Sequence, residues 1–255
     1  MMRRLLLAAL ALCGAHAASA QVGLPAGIAQ LAPVSGGGGA PLAAIDGSVT
    51  TTATAQTCVI ALTTAHSPDV IIVTSKSTPV SGTPDVTGIA DTAGLTWSLR
   101  KKLTPASNAT FEEWYAIASG TLSSDSITVT YTSNPGNYSE RCTAFGISGA
   151  NTGAPFDGNA SIPSGTSCTS CTSLGPTIST NSSKTMLLAS LFAQTGSFGT
   201  ITRPSGFSQI LATGSVEDNS ASVVSSAQSS VTETFSWSGG ASNWDSLILD
   251  AVVSN

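Results

Sequence analysis

Four cysteines lie beyond residue 20, and two of them, Cys168 and Cys171, have the Cys-x-x-Cys spacing. That spacing serves a redox dithiol, half of a zinc site or a local disulfide. A thioredoxin-type dithiol belongs at a helix N-terminus, where the thiolate is stabilised. Here it lies in a Ser/Thr/Gly connector. Structural zinc asks for four ligands, and His66 is the one histidine beyond the amino-terminal segment. The context therefore favours a staple between Cys168 and Cys171, with Cys58 and Cys142 as a second, long pair. Four cysteines allow three pairings, and the sequence leaves the connectivity open.

The remaining polar residues suggest chemistry less strongly. His66, Ser67 and Asp69 share one turn, whereas a Ser-His-Asp triad is assembled from separate elements. Glu112 and Glu113 are adjacent on a strand, so they point to opposite faces and cannot act together as a glycosidase pair. A distant partner, Asp125 or Glu233, would be needed. Asp85, Asp91, Asp157, Glu217 and Asp218 fall in expected loops, where calcium could use their oxygens. None of these loops has the dense Asp/Asn/Gly spacing of a dedicated site, and no cofactor is expected. Of the four tryptophans, Trp97 and Trp237 sit in alternating strands and read as core. Trp244, with Asn243 beside it as a hydrogen-bonding partner, and secondarily Trp114 are the candidates for binding a sugar ring.

Composition narrows the function classes. Charged residues make up only 9% of the chain, and Ser, Thr, Gly and Ala dominate. Such a chain lacks the Glu, Lys and Arg that helix surfaces use, and its Thr/Val/Ile runs favour strands. Beyond Arg3 and Arg4, fourteen acidic residues face seven basic ones, a net charge near −7. A phosphate backbone would be repelled, which argues against nucleic-acid binding. Arg100-Lys101-Lys102 is the longest basic run and reads as a solvated strand edge.

The amino terminus reads as an export signal over 1–20. Arg3 and Arg4 are its positive end, Leu5–Leu12 its apolar core and Ala18-Ser19-Ala20 its cleavage pattern. The apolar stretch is too short to span a bilayer. Cys13 offers a lipidation alternative, although Leu12 before it fits that signal poorly. Residues 21–56, with the glycine run at 36–39, read as a Gly/Ala/Pro-rich linker or arm.

The elements that must position the candidate residues are short strands. Thr57–Thr63, Val70–Thr74, Leu95–Leu99, Phe111–Ser119 and Ile127–Thr132 are strand candidates, the last with Ile127, Val129 and Tyr131 on one face. Thr78–Gly88 reads as loop. Arg141–Asp157 begins as a strand and breaks into a Gly/Asn/Pro connector, which reads as a seam. Beyond it the pattern restarts. Ser179–Ala189 parallels Thr63–Val73, and Pro204–Phe207 parallels Thr92–Leu95. Ser222–Ser225 then parallels Ala116–Ser119, and Glu233–Ser238 parallels Ile127–Thr132. Their common order indicates an internal duplication. The expected fold is all-β, a jelly-roll-like β-sandwich over 57–255 made of half-repeats at about 57–157 and 165–255. Ile248–Val253 is too apolar for an open edge and should pair centrally.

Phe111-Glu112-Glu113-Trp114-Tyr115-Ala116-Ile117-Ala118, Ala144–Asn151 and Pro155-Phe156-Asp157 resemble an uncharacterised two-repeat β-sandwich family. Its members occur in bacterial secreted proteins and phage virion-associated proteins. The resemblance covers about residues 45–255. It implies the fold and a surface or assembly role, with no catalytic residues. The expected function is a non-catalytic extracellular interaction or structural module, secreted or periplasmic, whose partner is a polysaccharide or a protein at a surface or particle. A carbohydrate-binding module and a glycan-active enzyme are the alternatives.

Overall fold

The computed structural model describes residues 42–53, 55–78, 85–106, 109–132, 140–193, 198–213, 216–239 and 244–255. The expected signal at 1–20, Cys13, the glycine run at 36–39 and Asn243 lie outside the described residues.

The first half of the chain supplies β1 (Ala44–Ala53), β2 (Thr57–Leu62), β3 (Asp69–Ser77), β4 (Val86–Ala90), β5 (Ser98–Ala106), β6 (Ala109–Ala118), β7 (Asp125–Tyr131) and β8 (Glu140–Ser148). The second half supplies β9 (Ser164–Cys168), β10 (Ser173–Leu174), β11 (Thr177–Ile178), β12 (Thr185–Ala193), β13 (Ile201–Thr202), β14 (Ser208–Thr213), β15 (Glu217–Val224), β16 (Val231–Thr232), β17 (Phe235–Trp237) and β18 (Asp245–Val253). Among the described residues there is no helix, and so none long and apolar enough to cross a membrane.

The fold is all-β and sandwich-like, but the strands are not shared as a jelly roll would share them. Each half closes its own sandwich, the first from two sheets and the second from three. In the first, β2-β7-β4 covers β1-β8-β3-β6-β5. In the second, β10-β17-β13 and β11-β16 cover β14-β15-β12-β18-β9. The two five-stranded sheets have the same order, because β9, β18, β12, β15 and β14 take the places of β1, β8, β3, β6 and β5.

Period-two alternation accounts for the inner cores. In β2, Cys58, Ile60 and Leu62 point inward while Thr57, Val59 and Ala61 are exposed. With Ile127, Val129 and Tyr131 of β7 they meet Ile71, Val73, Cys142 and Ala144. The second core sets Leu174, Ile178, Phe235 and Trp237 against Leu187, Leu191, Leu247 and Leu249. The outer faces of the five-stranded sheets are also covered, because they pack on each other. Val70, Ile72, Phe145 and Ile147 meet Met186, Leu188 and Val252. Hence β3 and β12 are buried at every residue and lose the alternation usual in antiparallel sheets. Edge strand β1 touches β14, and edge strand β5 touches β9. Exchanging the two halves converts one contact into the other, so the stack has an approximate two-fold relation.

Further expectations change. The arm reading of 21–56 is corrected over Ala44–Ala53, where β1 pairs with β8 along its whole length. Its half-buried edge position and the bulge at Gly47 (φ 81°) blur the alternation that would have marked it as a strand. The loop reading of Thr78–Gly88 is corrected at Val86, where β4 begins. Glu217 and Asp218 are not in a loop; they open β15 and are buried. By contrast β18 lies centrally between β12 and β9, as its apolar run requires.

Candidate functional site

Matched turns hold the two halves in the same way. The bulge at Gly47 aims Asp46 at the turn before β3, where its carboxylate accepts from the backbone N–H groups of Ala65 (3.0 Å) and His66 (2.7 Å). Asp157 does the same before β12, accepting from Asn181 (2.9 Å) and Ser182 (2.7 Å). Thr64 and Leu122 exchange two hydrogen bonds, and so do Thr180 and Gln228. Ser124 and Ser230 both adopt positive φ, and each donates its N–H to a turn hydroxyl, of Thr63 and Ser179 respectively. Asp157 is thus occupied as a turn clamp.

On this shared frame the first half carries an acidic corner. Asp69 is fully buried beside Asp46, and His66 lies 3.2 Å from Asp46 through Nδ1. Burial and the neighbouring Asp46 carboxylate raise the Asp69 pKa to about 7. Burial also acts to raise that of Asp46, but the Ala65 and His66 N–H groups outweigh it and leave Asp46 below its usual value. Gly146 lies beneath the corner, where a Cβ would stand 2.5 Å from the Asp46 carbonyl oxygen. Ser67 joins no triad, since the groups gathered here are two carboxylates and an exposed imidazole.

The glutamates of β6 do face opposite ways. Glu112 accepts from the Val86 N–H (3.2 Å) and the Trp114 indole (2.8 Å). Trp114 is half-buried against the first core, with its polar edge engaged. Glu113 points between the stacked sheets, toward Asp250 of β18. Burial first, and then Asp250, push its pKa well above normal. Arg100 closes this group with a two-pronged contact to Asp250 at 2.7 and 2.9 Å. Arg100 is therefore not the solvated edge residue its sequence context suggests; it reaches inward between the layers and stacks 4.1 Å over Phe156. A second polar group sits in the same layer. Glu217 accepts from Thr143 and Asn219, each at 2.8 Å, and faces Arg141 at 3.9 Å. Burial raises the Glu217 pKa despite these partners.

The cysteines form two disulfides of different character. Cys58–Cys142 joins β2 of one sheet to β8 of the other, with both residues fully buried. Closing a loop of 84 residues stabilises by roughly 4–5 kcal/mol on the chain-entropy estimate. Cys168–Cys171 spans three positions, so the same estimate assigns it only about 2 kcal/mol. Cys168 ends edge strand β9, Thr169 and Ser170 are exposed, and both sulfur-bearing residues are half-buried. Ser170 has φ 54°, a conformation that costs a non-glycine residue about 1–3 kcal/mol. Asp245, the cross-strand partner of Cys168, is fully buried with Oδ2 3.7 Å from Cys171 Sγ. With the sulfurs joined, neither is a thiolate donor, so this Cys/Cys/Asp group holds no metal in this state.

The fold therefore brings half-buried Trp244 to the Cys168–Cys171 end of β18, a grouping that sequence separation concealed. Asp245, Asp46 and the Arg100–Asp250–Glu113 group were missed for the same reason. An open cleft of about 260 Å³ lies elsewhere in the second half, lined by Ile201, Arg203, Gln209, Ala212, Glu217 and Asp218. Arg203 pairs with Asp218 and donates to Gln209 at 2.8 Å. Strand register places Gln209 and Ser220 where the first half has Leu99 and Trp114. No family model, curated protein or solved structure matches the chain.

Proposed function

We infer that this chain is an exported, non-catalytic interaction or structural module, of the secreted or virion-associated kind that its motifs resemble. The supporting observation is where its most perturbed carboxyls go. Glu113, pushed well above the usual range by burial, is enclosed between the stacked sheets toward Asp250, while Glu217 borders the second-half cleft but is 4% exposed and held by Thr143 and Asn219. A general acid must reach its substrate, and these groups instead join the two halves. The test is a binding assay of residues 21–255 on bacterial surfaces and insoluble polysaccharides, with and without calcium, together with its mass in solution. Retention on a surface, or a stable oligomer, with no glycan cleavage is the expected result. Glycan hydrolysis lost on Glu113→Gln or Glu217→Gln would overturn the reading.

A carbohydrate-binding role is the second reading, favoured by the polar cleft. An Arg203–Asp218 pair beside a Gln209 amide offers fixed donors and acceptors to sugar hydroxyls at little net charge. Polysaccharide retention abolished by Gln209→Ala supports this cleft, and retention abolished by Trp244→Ala moves the binding to the Trp244 end. Retention unchanged in both variants removes the reading.

A further inference from the structure

We propose that Cys168–Cys171 is an exchange-competent disulfide that accepts electrons from thiols, with Asp245 supplying the proton to Cys171. The contrast with Cys58–Cys142 motivates this. That bridge is sealed inside the first core between two sheets. The second bridge lies at the end of an edge strand behind two exposed residues, where an incoming thiol can reach it. Two further features favour its reduced form. Opening the ring removes the covalent closure around Ser170, whose φ is 54°. It also gives Cys171 a thiol hydrogen, and the Asp245 oxygen 3.7 Å away is at hydrogen-bonding distance for sulfur.

The exchange balances as follows. A thiolate RS⁻ attacks Cys168 Sγ; the S–S bond breaks, and its electron pair leaves on Cys171. That sulfur takes up, by way of the Asp245 carboxyl, the proton that RSH gave up. The product is an R–S–S–Cys168 mixed disulfide with a Cys171 thiol. A second thiolate R′S⁻ attacks the R sulfur and releases Cys168, so two thiols become one disulfide and the protein disulfide becomes a dithiol. A small-molecule disulfide such as oxidised glutathione restores the bridge by the reverse steps. The direction of attack follows from the carboxyl, since Cys171 is the sulfur whose departure can be assisted. This inference is independent of the interaction-module reading, because neither the partner nor the cleft enters it.

The test uses the whole exported chain in reduced glutathione, with acid quenching, alkylation and mass mapping of each cysteine. Cys168–Cys171 should open about 100-fold faster than Cys58–Cys142, with the glutathione adduct on Cys168 and the alkyl label on Cys171. Asp245→Asn retains an acceptor but cannot donate a carboxyl proton, so it should slow opening about 10-fold or more and spread the adduct over both cysteines. If Cys168–Cys171 stays as resistant as Cys58–Cys142 in the folded protein, the exchange proposal fails. If Asp245→Asn does not fold, the wild-type adduct position still decides the matter: an adduct on Cys171, or equal adducts on both, overturns the role of Asp245.

Discussion

The two halves share a strand order and a set of turn clamps, yet they use equivalent positions differently. In the first half the covalent link crosses the core, from Cys58 to Cys142. Register places Leu247 where the second half would need its counterpart to Cys142, and packing alone joins those sheets. The second half carries its disulfide on the rim. Where the first half buries Asp69 at the start of its central strand, the second has Thr185. Where the first half packs Trp114 against its core, the second has Ser220. The frame thus depends on backbone clamps and alternating apolar faces, while the charged and sulfur-bearing groups are free to differ. The first half has invested in rigidity and the second in accessible polar groups.

The largest expected effect tests the covalent difference. Removing Cys58–Cys142 with serine at both positions should destabilise the chain by roughly 4–5 kcal/mol in denaturant titration. The same change at Cys168 and Cys171 should cost about 2 kcal/mol or less, since the loop is short and Ser170 relaxes. Equal losses would erase the distinction between core and rim bridges. Next comes the layer between the halves. Arg100→Leu leaves Asp250 and Glu113 buried without their cation and should cost about 3–5 kcal/mol. A loss under 1 kcal/mol would mean that the stack does not depend on that group.

Asp69 sharpens the comparison through pH. Its folded pKa of about 7 lies above its ordinary value of 3.8, so the folded protein binds the proton more tightly than the unfolded chain. Its contribution is fully present below pH 3.8, declines as pH rises toward 7 and is absent above that. Asp69→Asn should flatten this decline and raise stability near pH 8 by a few kcal/mol, measured as denaturation midpoints across pH. A decline that persists in the variant would place its origin elsewhere. The smallest effects concern the shared frame. Asp46→Ala and Asp157→Ala each orphan two backbone N–H groups and should cost about 1–2 kcal/mol apiece. A loss in one half alone would show that the clamps are not equivalent.

Much of this was legible in the chain itself. Alternation at Ile127, Val129 and Tyr131, the apolar run of Val70–Val73 and the turn residues between them specify an all-β body, because side-chain direction along a strand depends on local sequence alone. The pairing of Phe207 with Leu95, and of Trp237 with Tyr131, was visible as a recurring order. Edge strand β1 was not, since its bulge and partial exposure leave no clear period. Nor could local sequence reveal that each half closes its own sandwich, as that depends on which strands pair across long separations. The candidate sites belong to the same class. Asp245 meets Cys171 across 74 residues, Arg100 meets Asp250 across 150, and Glu217 meets Thr143 across 74. Strand propensity and face were determined one residue at a time by the sequence. Which acid lies beside which sulfur, arginine or second acid was decided only when the sheets stacked, because burial and distance are properties of the packed layers.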